Sequence, residues 1–215
     1  MFVTFEGGEG SGKTTQLKLL ANRFRASAAE VIETRDPGGT TIGKEIRDLL
    51  IGRESAPMSE VTELFLYEAS RAQLVREVIT PALARGAVVL CDRFTDSTLA
   101  YQGFGRGIDL NLIRQVNHIA TDGLTPDVTI LLDLDPKTGL ERCTRSVRAG
   151  RAFRDRMTAE PLAFHQRVRE GYLALAREEP DRIRVIDARL SFAELETAMW
   201  DECTRIKCSR SPVHG

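Results

Sequence analysis

The sequence is short of cysteine, of surplus charge and of long apolar runs. Its 4 cysteines (Cys91, Cys143, Cys203 and Cys208) are scattered over 215 residues and form no C-x2-C pair. That excludes a disulfide-framed scaffold and disfavours a structural zinc site. The 30 basic and 31 acidic residues leave a net charge of -1. A dedicated duplex-DNA binder would carry a positive excess, so no nucleic-acid partner is expected. No apolar run reaches the ~18 residues of a membrane span, so no membrane partner is expected either. There is no repeat and no low-complexity linker. The start shows no basic segment leading into a long apolar stretch, which gives the expectation of a cytoplasmic protein without a signal peptide. With 42% hydrophobic and 28% charged residues the chain can bury a real core, and its length suits one domain.

What is present alternates. Short apolar, β-branched runs occur at Phe2–Phe5, Val31–Ile32, Ala87–Cys91, Val128–Leu132 and Ile183–Ile186. They read as strands buried on both faces. Helical spacing separates them. Leu17, Leu20, Ala21 and Phe24 share one face, Leu112, Val116 and Ile119 another, and Leu162, Val168, Leu173 and Leu175 mark a later apolar stretch. Ser191 followed by Glu194 forms a capping box for a last helix. The alternation predicts an α/β fold, a three-layer sandwich around a central parallel sheet of five strands, with ligands beyond the carboxyl ends of the strands. The domain is expected over 1–208, with a frayed tail at 209–215.

Gly7-Gly-Glu-Gly-Ser-Gly-Lys-Thr14 satisfies G-x-x-x-x-G-K-[ST] in full. It lies between a predicted strand and a predicted amphipathic helix, the context that confirms a P-loop. Glycines let successive N–H groups turn toward phosphate oxygens, and the helix offers them its positive end. Gly7, Gly8, Glu9, Gly10, Ser11, Gly12, Lys13, Thr14 and Thr15 are therefore candidate ATP contacts. Lys13 would reach the β- and γ-phosphates and Thr14 would offer its hydroxyl to Mg²⁺. Asp92, after an apolar strand, is the candidate second Mg²⁺ partner. A nucleotide switch is a rival reading, since Asp36-Pro-Gly-Gly39 matches D-x-x-G by letters. No Asn-Lys-x-Asp element for guanine exists, however, and Asp36 follows the P-loop too soon.

Arginines collect in and near the loops: Arg35, Arg71 and Arg93, then Arg142, Arg145, Arg148, Arg151, Arg154 and Arg156. Moving a phosphoryl group between two anions needs such cations. The run by itself also suits a solvated helix face, with Glu141 and Asp155 as partners. Ala149-Gly150 and Ala152 interrupt it, which favours a mobile Arg-rich lid at about 143–158.

These residues together resemble the thymidylate kinase family. Phe5–Thr15 resembles its first motif, Arg35-Asp-Pro-Gly-Gly-Thr40 its second, and Tyr67-Glu-Ala-Ser-Arg-Ala-Gln73 its base-facing helix. Asp92-Arg93, Asp96-Ser97, Ala100-Tyr-Gln-Gly103 and Gly105-Arg-Gly107 resemble its third motif, and Asp155-Arg156 with Phe164–Val168 its lid region. The resemblance implies a nucleoside-monophosphate-kinase fold, transfer of phosphate from ATP-Mg²⁺ to dTMP, and a homodimer. It implies that Glu9 accepts from the sugar 3′-hydroxyl and that Arg35 and Pro37 shape the acceptor site. Tyr67 would stack on thymine, Arg71 would bond the base, and Arg93 would hold the acceptor phosphate. Ser97, Thr98 and Gln102 would line the base site, Tyr101 would crowd the 2′ position, and Arg142 would lie against adenine. Plain core packing is the other reading of both Tyr67 and Tyr101. Gly10 stands where one family design has arginine, so the clamp is expected from the lid, with Arg148, Arg151 and Arg156 as candidates. Met157 and Thr158 replace the usual acidic residue after Asp155-Arg156, leaving Glu160 as its substitute. A kinase for another nucleoside monophosphate is the alternative within the same fold.

Overall fold

The computed structural model describes residues 1–52, 57–150 and 156–209. Five strands form one all-parallel sheet: β1 (Phe2–Glu6), β2 (Val31–Arg35), β3 (Val88–Asp92), β4 (Val128–Asp133) and β5 (Ile183–Asp187), in the order β2-β3-β1-β4-β5. β1 lies at the centre and is buried at every position, which explains the absence of apolar/polar alternation along it. β2 occupies an edge and is half-exposed. Its sequence shows only Val31-Ile32 as apolar, yet pairing with β3 carries the strand on to Arg35.

The helices are α1 (Lys13–Ala26), α2 (Thr41–Ile51), α3 (Glu60–Leu74), α4 (Thr80–Ala84), α5 (Thr95–Thr98), α6 (Leu110–Thr121), α7 (Pro136–Arg148), α8 (Leu162–Glu178) and α9 (Phe192–Ser209). A π-helical turn at Val75–Ile79 joins α3 to α4, and another, Leu99–Gly105, continues α5. Such widened turns recur at functional sites, and the second one carries Tyr101 and Gln102. α9 opens on the expected capping box. The Ser191 N–H donates to Glu194 Oε2 at 2.9 Å, and the Glu194 N–H donates back to Ser191 Oγ at 3.4 Å.

Successive strand residues serve opposite faces. Val88 and Leu90 of β3, with Val3, Phe5, Ile130 and Leu132, pack under α1 and α9 against Leu17, Leu20, Phe24, Leu195 and Met199. Val89 and Cys91 turn the other way, with Phe2, toward Leu74, Val75 and Ile79. Beside them Leu131 meets Leu64, Ile113, Phe164, Val168 and Tyr172. The result is the three-layer arrangement. The strands end on Glu6, Arg35, Asp92, Asp133 and Asp187, so the carboxyl edge of the sheet is charged.

One helical face differs from expectation. α6 buries Ile113, Asn117, Ala120 and Thr121, whereas Leu112 and Ile119 stand 45% and 74% exposed. Of the apolar stripe at Leu112, Val116 and Ile119 only Val116 packs against the core, while buried Asn117 is held in the interior by Arg71. The expected lid segment begins in a helix: 143–148 complete α7, 151–155 lie outside the described residues, and Arg156 begins a turn. Of the expected tail, Ser209 ends α9, and 210–215 lie outside the described residues.

Candidate active site

A cavity of about 600 Å³ opens over the carboxyl edges of β1, β2 and β3. Its walls come from the P-loop, the turn after β2, α3, the turn after β3, the second π-helical turn and α7.

The P-loop forms the floor. Gly7, Gly10 and Gly12 have φ of 136°, 69° and 94°, values that L side chains rarely adopt. Lys13 is buried, and its Nζ donates to Gly7 O (3.0 Å), Gly8 O (2.9 Å) and Ser11 Oγ (3.3 Å). Burial lowers its pKa, and Arg93 adds to that; Glu9, Asp92 and Glu6 oppose the fall. Thr14 Oγ1 donates to Asp92 Oδ2 at 2.6 Å, which brings the two expected Mg²⁺ partners side by side. Gly10 is fixed by packing as well as by φ. A Cβ there would fall 2.2 Å from the Gly139 carbonyl oxygen of α7. Gly10→Arg, which would install the other family design, is therefore expected to displace α7 or the loop. Steady-state kinetics should show at least about a tenfold loss of kcat; wild-type turnover would contradict this tight contact.

Arg93 stands at the centre. It follows β3 with φ of 72°, unusual for a non-glycine residue. Its NH1 donates to Gly7 O (3.2 Å), Ser97 Oγ (3.2 Å) and Tyr172 OH (3.1 Å), and its NH2 to Glu9 Oε1 (2.8 Å) and Tyr101 OH (3.1 Å). Glu9 also accepts from Tyr101 OH at 2.8 Å. Burial pushes the Glu9 carboxyl up, but Arg93 and Lys13 outweigh it and hold the pKa at about 2. The acidic P-loop residue is thus a fully ionised acceptor beside the phosphate floor.

The α3 side of the cavity is built around Arg71, which is 1% exposed. Its Nε donates to Asp36 Oδ2 (2.6 Å), its NH1 to Glu68 Oε1 (2.6 Å) and its NH2 to Thr98 Oγ1 (2.8 Å). Asp36 precedes a cis peptide bond to Pro37 and is committed to Arg71, not to the Thr14–Asp92 pair. Tyr67, Arg71, Ser97, Thr98, Tyr101 and Gln102 all line the cavity, as do Arg35 and Pro37. Gln102 donates to Glu63 Oε1 at 2.7 Å.

Arg142 of α7 lines the cavity beside the P-loop, and its NH1 donates to Gly10 O at 3.4 Å. Two of the other expected clamp residues, Arg148 and Arg156, lie outside this cavity's lining. Arg148 lines a separate groove with Lys137, Arg145 and Leu162. Arg156 pairs with Glu63 Oε2 at 2.6 Å and donates to Leu50 O at 3.0 Å. Arg151 is outside the described residues. Glu160 engages Arg106 at 2.7 Å, so it does meet a cation beside the lid segment.

Four participants had not been singled out from the sequence. Arg47 of α2 donates to Pro37 O at 3.1 Å and lines the cavity. Glu63 binds Gln102, Arg106 and Arg156. Glu6 and Tyr172 lie beneath Arg93. Arg47 sits beside Asp48 within Ile46–Ile51, so its charge gave no distinctive signal. The others are buried carboxylates or an aromatic whose partners are remote in sequence.

A P-loop at one end of a cavity and a fixed arginine beside an aromatic-lined recess at the other define a phosphotransferase of the nucleoside-monophosphate-kinase class. Comparison with known proteins narrows the class. A family model for thymidylate kinase matches residues 5–199. A curated thymidylate kinase from Solidesulfovibrio magneticus is 53% identical over 202 residues, covering 93% of this chain and 97% of its own length. One from Deinococcus radiodurans is 50% identical over 200 residues, covering 93% and 94%. The crystal structure of thymidylate kinase from Ehrlichia chaffeensis superposes with a TM-score of 0.75 at 34% identity, covering 94% of this chain and 97% of that one. The chain belongs to the thymidylate kinase family. It is an ATP-dependent nucleoside monophosphate kinase that phosphorylates dTMP to dTDP.

Proposed function

We propose that this cavity carries out in-line phosphoryl transfer with the residues in the following roles. The P-loop N–H groups and Lys13 hold the donor phosphates, and Arg142 lies along adenine. Arg93, with Arg47 and Arg35 nearby, holds the acceptor phosphate. Glu9 accepts from the sugar 3′-hydroxyl, Tyr101 crowds the 2′ position, and Tyr67, Arg71, Ser97, Thr98 and Gln102 receive the base. The acceptor phosphate is already ionised, so no strong general base is needed. Its oxygen attacks the γ-phosphorus while fixed cations stabilise the spreading charge. The observation that carries this reading is that Lys13 and Arg93 line one cavity, both within hydrogen-bond distance of Gly7 O.

The residues present fit Mg²⁺. Thr14 and Asp92 offer adjacent hard oxygen donors, and among the described residues no larger acidic or histidine cluster exists. That suits an ion held by one or two protein oxygens plus phosphate and water. Bound there with ATP, it would neutralise phosphate charge. One of Arg148, Arg151 and Arg156 completes the cationic clamp in this reading, and single alanine variants identify it by loss of kcat.

The test is a phosphorylation assay with ATP-Mg²⁺ and dTMP, dUMP, dCMP or dGMP in parallel. ADP release greatest with dTMP is the expected result; release with dGMP and none with dTMP would overturn it. Arg93→Lys keeps the charge but loses the planar fork. It is expected to lower kcat on the order of 10²-fold, and unchanged turnover would refute the clamp.

A homodimer is part of this proposal. Leu49 of α2, Val61 and Phe65 of α3, and Leu112 and Ile119 of α6 are large, apolar and 45–74% exposed, on helices that pack against one another. A second copy of the chain would cover them. Ile119→Asp is expected to shift the mass measured by light scattering toward the monomer; an unchanged mass would contradict this face as the interface. Among the described residues no helix is long and apolar enough to cross a membrane. The cytoplasm is proposed as the compartment because ATP and dTMP are found there.

A further inference from the structure

Glu6 ends β1 and is fully buried. It falls within the Phe5–Thr15 motif, and the transfer chemistry above gives it no part. Its hydrogen bonds are nonetheless organised around Arg93. Oε1 accepts from the Phe94 N–H at 2.7 Å, the residue directly after the left-handed Arg93. Oε2 accepts from Ser97 Oγ at 2.6 Å and from Tyr172 OH at 2.7 Å. Those two hydroxyls are the ones that Arg93 NH1 reaches at 3.2 and 3.1 Å.

Proton direction follows from this geometry. Each hydroxyl owns one proton, and arginine can only donate. Arg93 can therefore bond both hydroxyls only if both turn their protons elsewhere. A carboxylate is acceptor-only when ionised, and Oε2 takes both protons. The chain runs one way, from guanidinium to hydroxyl to carboxylate, twice over. A neutral Glu6 breaks it. With Oε1 held by the Phe94 N–H, an added proton sits on Oε2 between the two hydroxyls. One hydroxyl must then turn its proton away from Oε2, toward the other hydroxyl 2.9 Å off, and one of the two guanidinium-to-carboxylate paths is lost.

We propose that Glu6 is a positioning residue for phosphoryl transfer: as a carboxylate it polarises Ser97 and Tyr172 and pins the turn after β3, so that Arg93 is held in the conformation that receives the acceptor phosphate. Glu6 touches no substrate in this scheme and acts through Arg93. The inference rests on the reading of Arg93 as the acceptor clamp. The groups facing Glu6 are Asp96, which repels its charge, Arg93 and Lys13, which favour it, and the hydroxyls of Ser97 and Tyr172, with Cys91 on the neighbouring strand. Asp96 is itself paired to Arg182 at 2.7 Å. Burial is the largest influence on Glu6; with Asp96 it raises the pKa to about 7 against the pull of Arg93.

A distinctive pair of trends follows. Ionisation near pH 7 completes the hydroxyl chain, so turnover should rise through that range. Stability should do the opposite. A carboxyl whose pKa is raised on folding holds its proton in the folded chain after the unfolded chain has lost its own. The folded state is therefore disfavoured progressively as pH climbs from about 4.5 to about 7.

The experiment uses the full chain and its Glu6→Gln variant. It measures kcat, KM for dTMP, KM for ATP and thermal melting at pH 6 to 9. The amide keeps the size but brings a donor to the hydroxyls. At pH 8 kcat is expected to fall about tenfold or more, with KM for ATP nearly unchanged. The Glu6 share of the rise near pH 7 should disappear, leaving only that from the acceptor phosphate, whose own second pKa is near 6. The opposing stability trend should flatten. A variant with wild-type kcat and pH profile, whatever its melting temperature, would overturn the proposal, since that is the signature of packing alone. Ser97→Ala combined with Tyr172→Phe removes both hydroxyl links while the Glu6 side chain stays in place, and serves if Glu6→Gln fails to fold. Retained kcat in that double variant would equally overturn it. Arg93→Lys run in parallel separates the two failures. If Arg93→Lys is also silent the clamp reading has failed, and if it is impaired while Glu6→Gln is silent only this inference has.

Discussion

Lys13→Ala is expected to lower kcat on the order of 10³-fold, equivalent to about 4 kcal/mol of transition-state stabilisation. Lys13 Nζ is the one P-loop cation, and it lies between Gly7 O and Gly8 O within the loop itself. Burial and the nearby Arg93 lower its pKa, while Glu9, Asp92 and Glu6 oppose that fall. In the proposed roles, alanine removes the charge that meets the transferring group and leaves Arg93 and the base-facing residues in place. KM for dTMP should therefore change far less than kcat in steady-state assays. A kcat within about threefold of wild type would remove the P-loop from the chemistry.

The second large effect is on stability. Arg71→Met should destabilise the fold by about 3–5 kcal/mol at pH 8. The reason is what the substitution leaves behind. Asp36 and Glu68 are both buried, and Arg71 is the cation that each contacts at 2.6 Å. Burial already raises both carboxyl pKa values, and Arg71 restrains that rise. Without it the two acids escape their uncompensated charge by holding protons in the folded state. A pKa raised on folding makes stability fall as pH increases. The deficit should accordingly be smaller at pH 5 than at pH 8 in denaturant titrations. An equal deficit at both would show that Arg71 contributes packing and not charge.

Much of this was legible beforehand, for identifiable reasons. Strands β1, β3 and β4 are buried on both faces and so appear as unbroken apolar runs, whereas β5, expected to be buried on both faces too, lies at the other edge with Val185 48% exposed and Arg184 within its run. β2 is an edge strand, and its outer half was hidden because Glu33, Thr34 and Arg35 carry no apolar signal. The P-loop could be read because φ and phosphate geometry demand glycine, lysine and threonine at set spacings. The α6 face misled because apolar spacing reports a stripe without saying what covers it. Asn117 faces the interior to serve Arg71, and Leu112 and Ile119 face outward. Glu6 and Glu63 were hidden for a related reason. Their partners lie 88 and 166 residues away for Glu6, at Phe94 and Tyr172, and 39 away for Glu63, at Gln102. A buried carboxylate carries no local pattern, and only the folded chain shows which donors converge on it.

The decisive measurement is a crystal structure of the protein with dTMP and ADP-Mg²⁺ bound together. The account predicts both nucleotides in the single cavity, the ADP phosphates on Lys13 and the P-loop, the dTMP phosphate on Arg93, and space between them for one phosphoryl group. A dTMP bound outside that cavity, or with its phosphate turned away from Arg93, would contradict direct transfer as described.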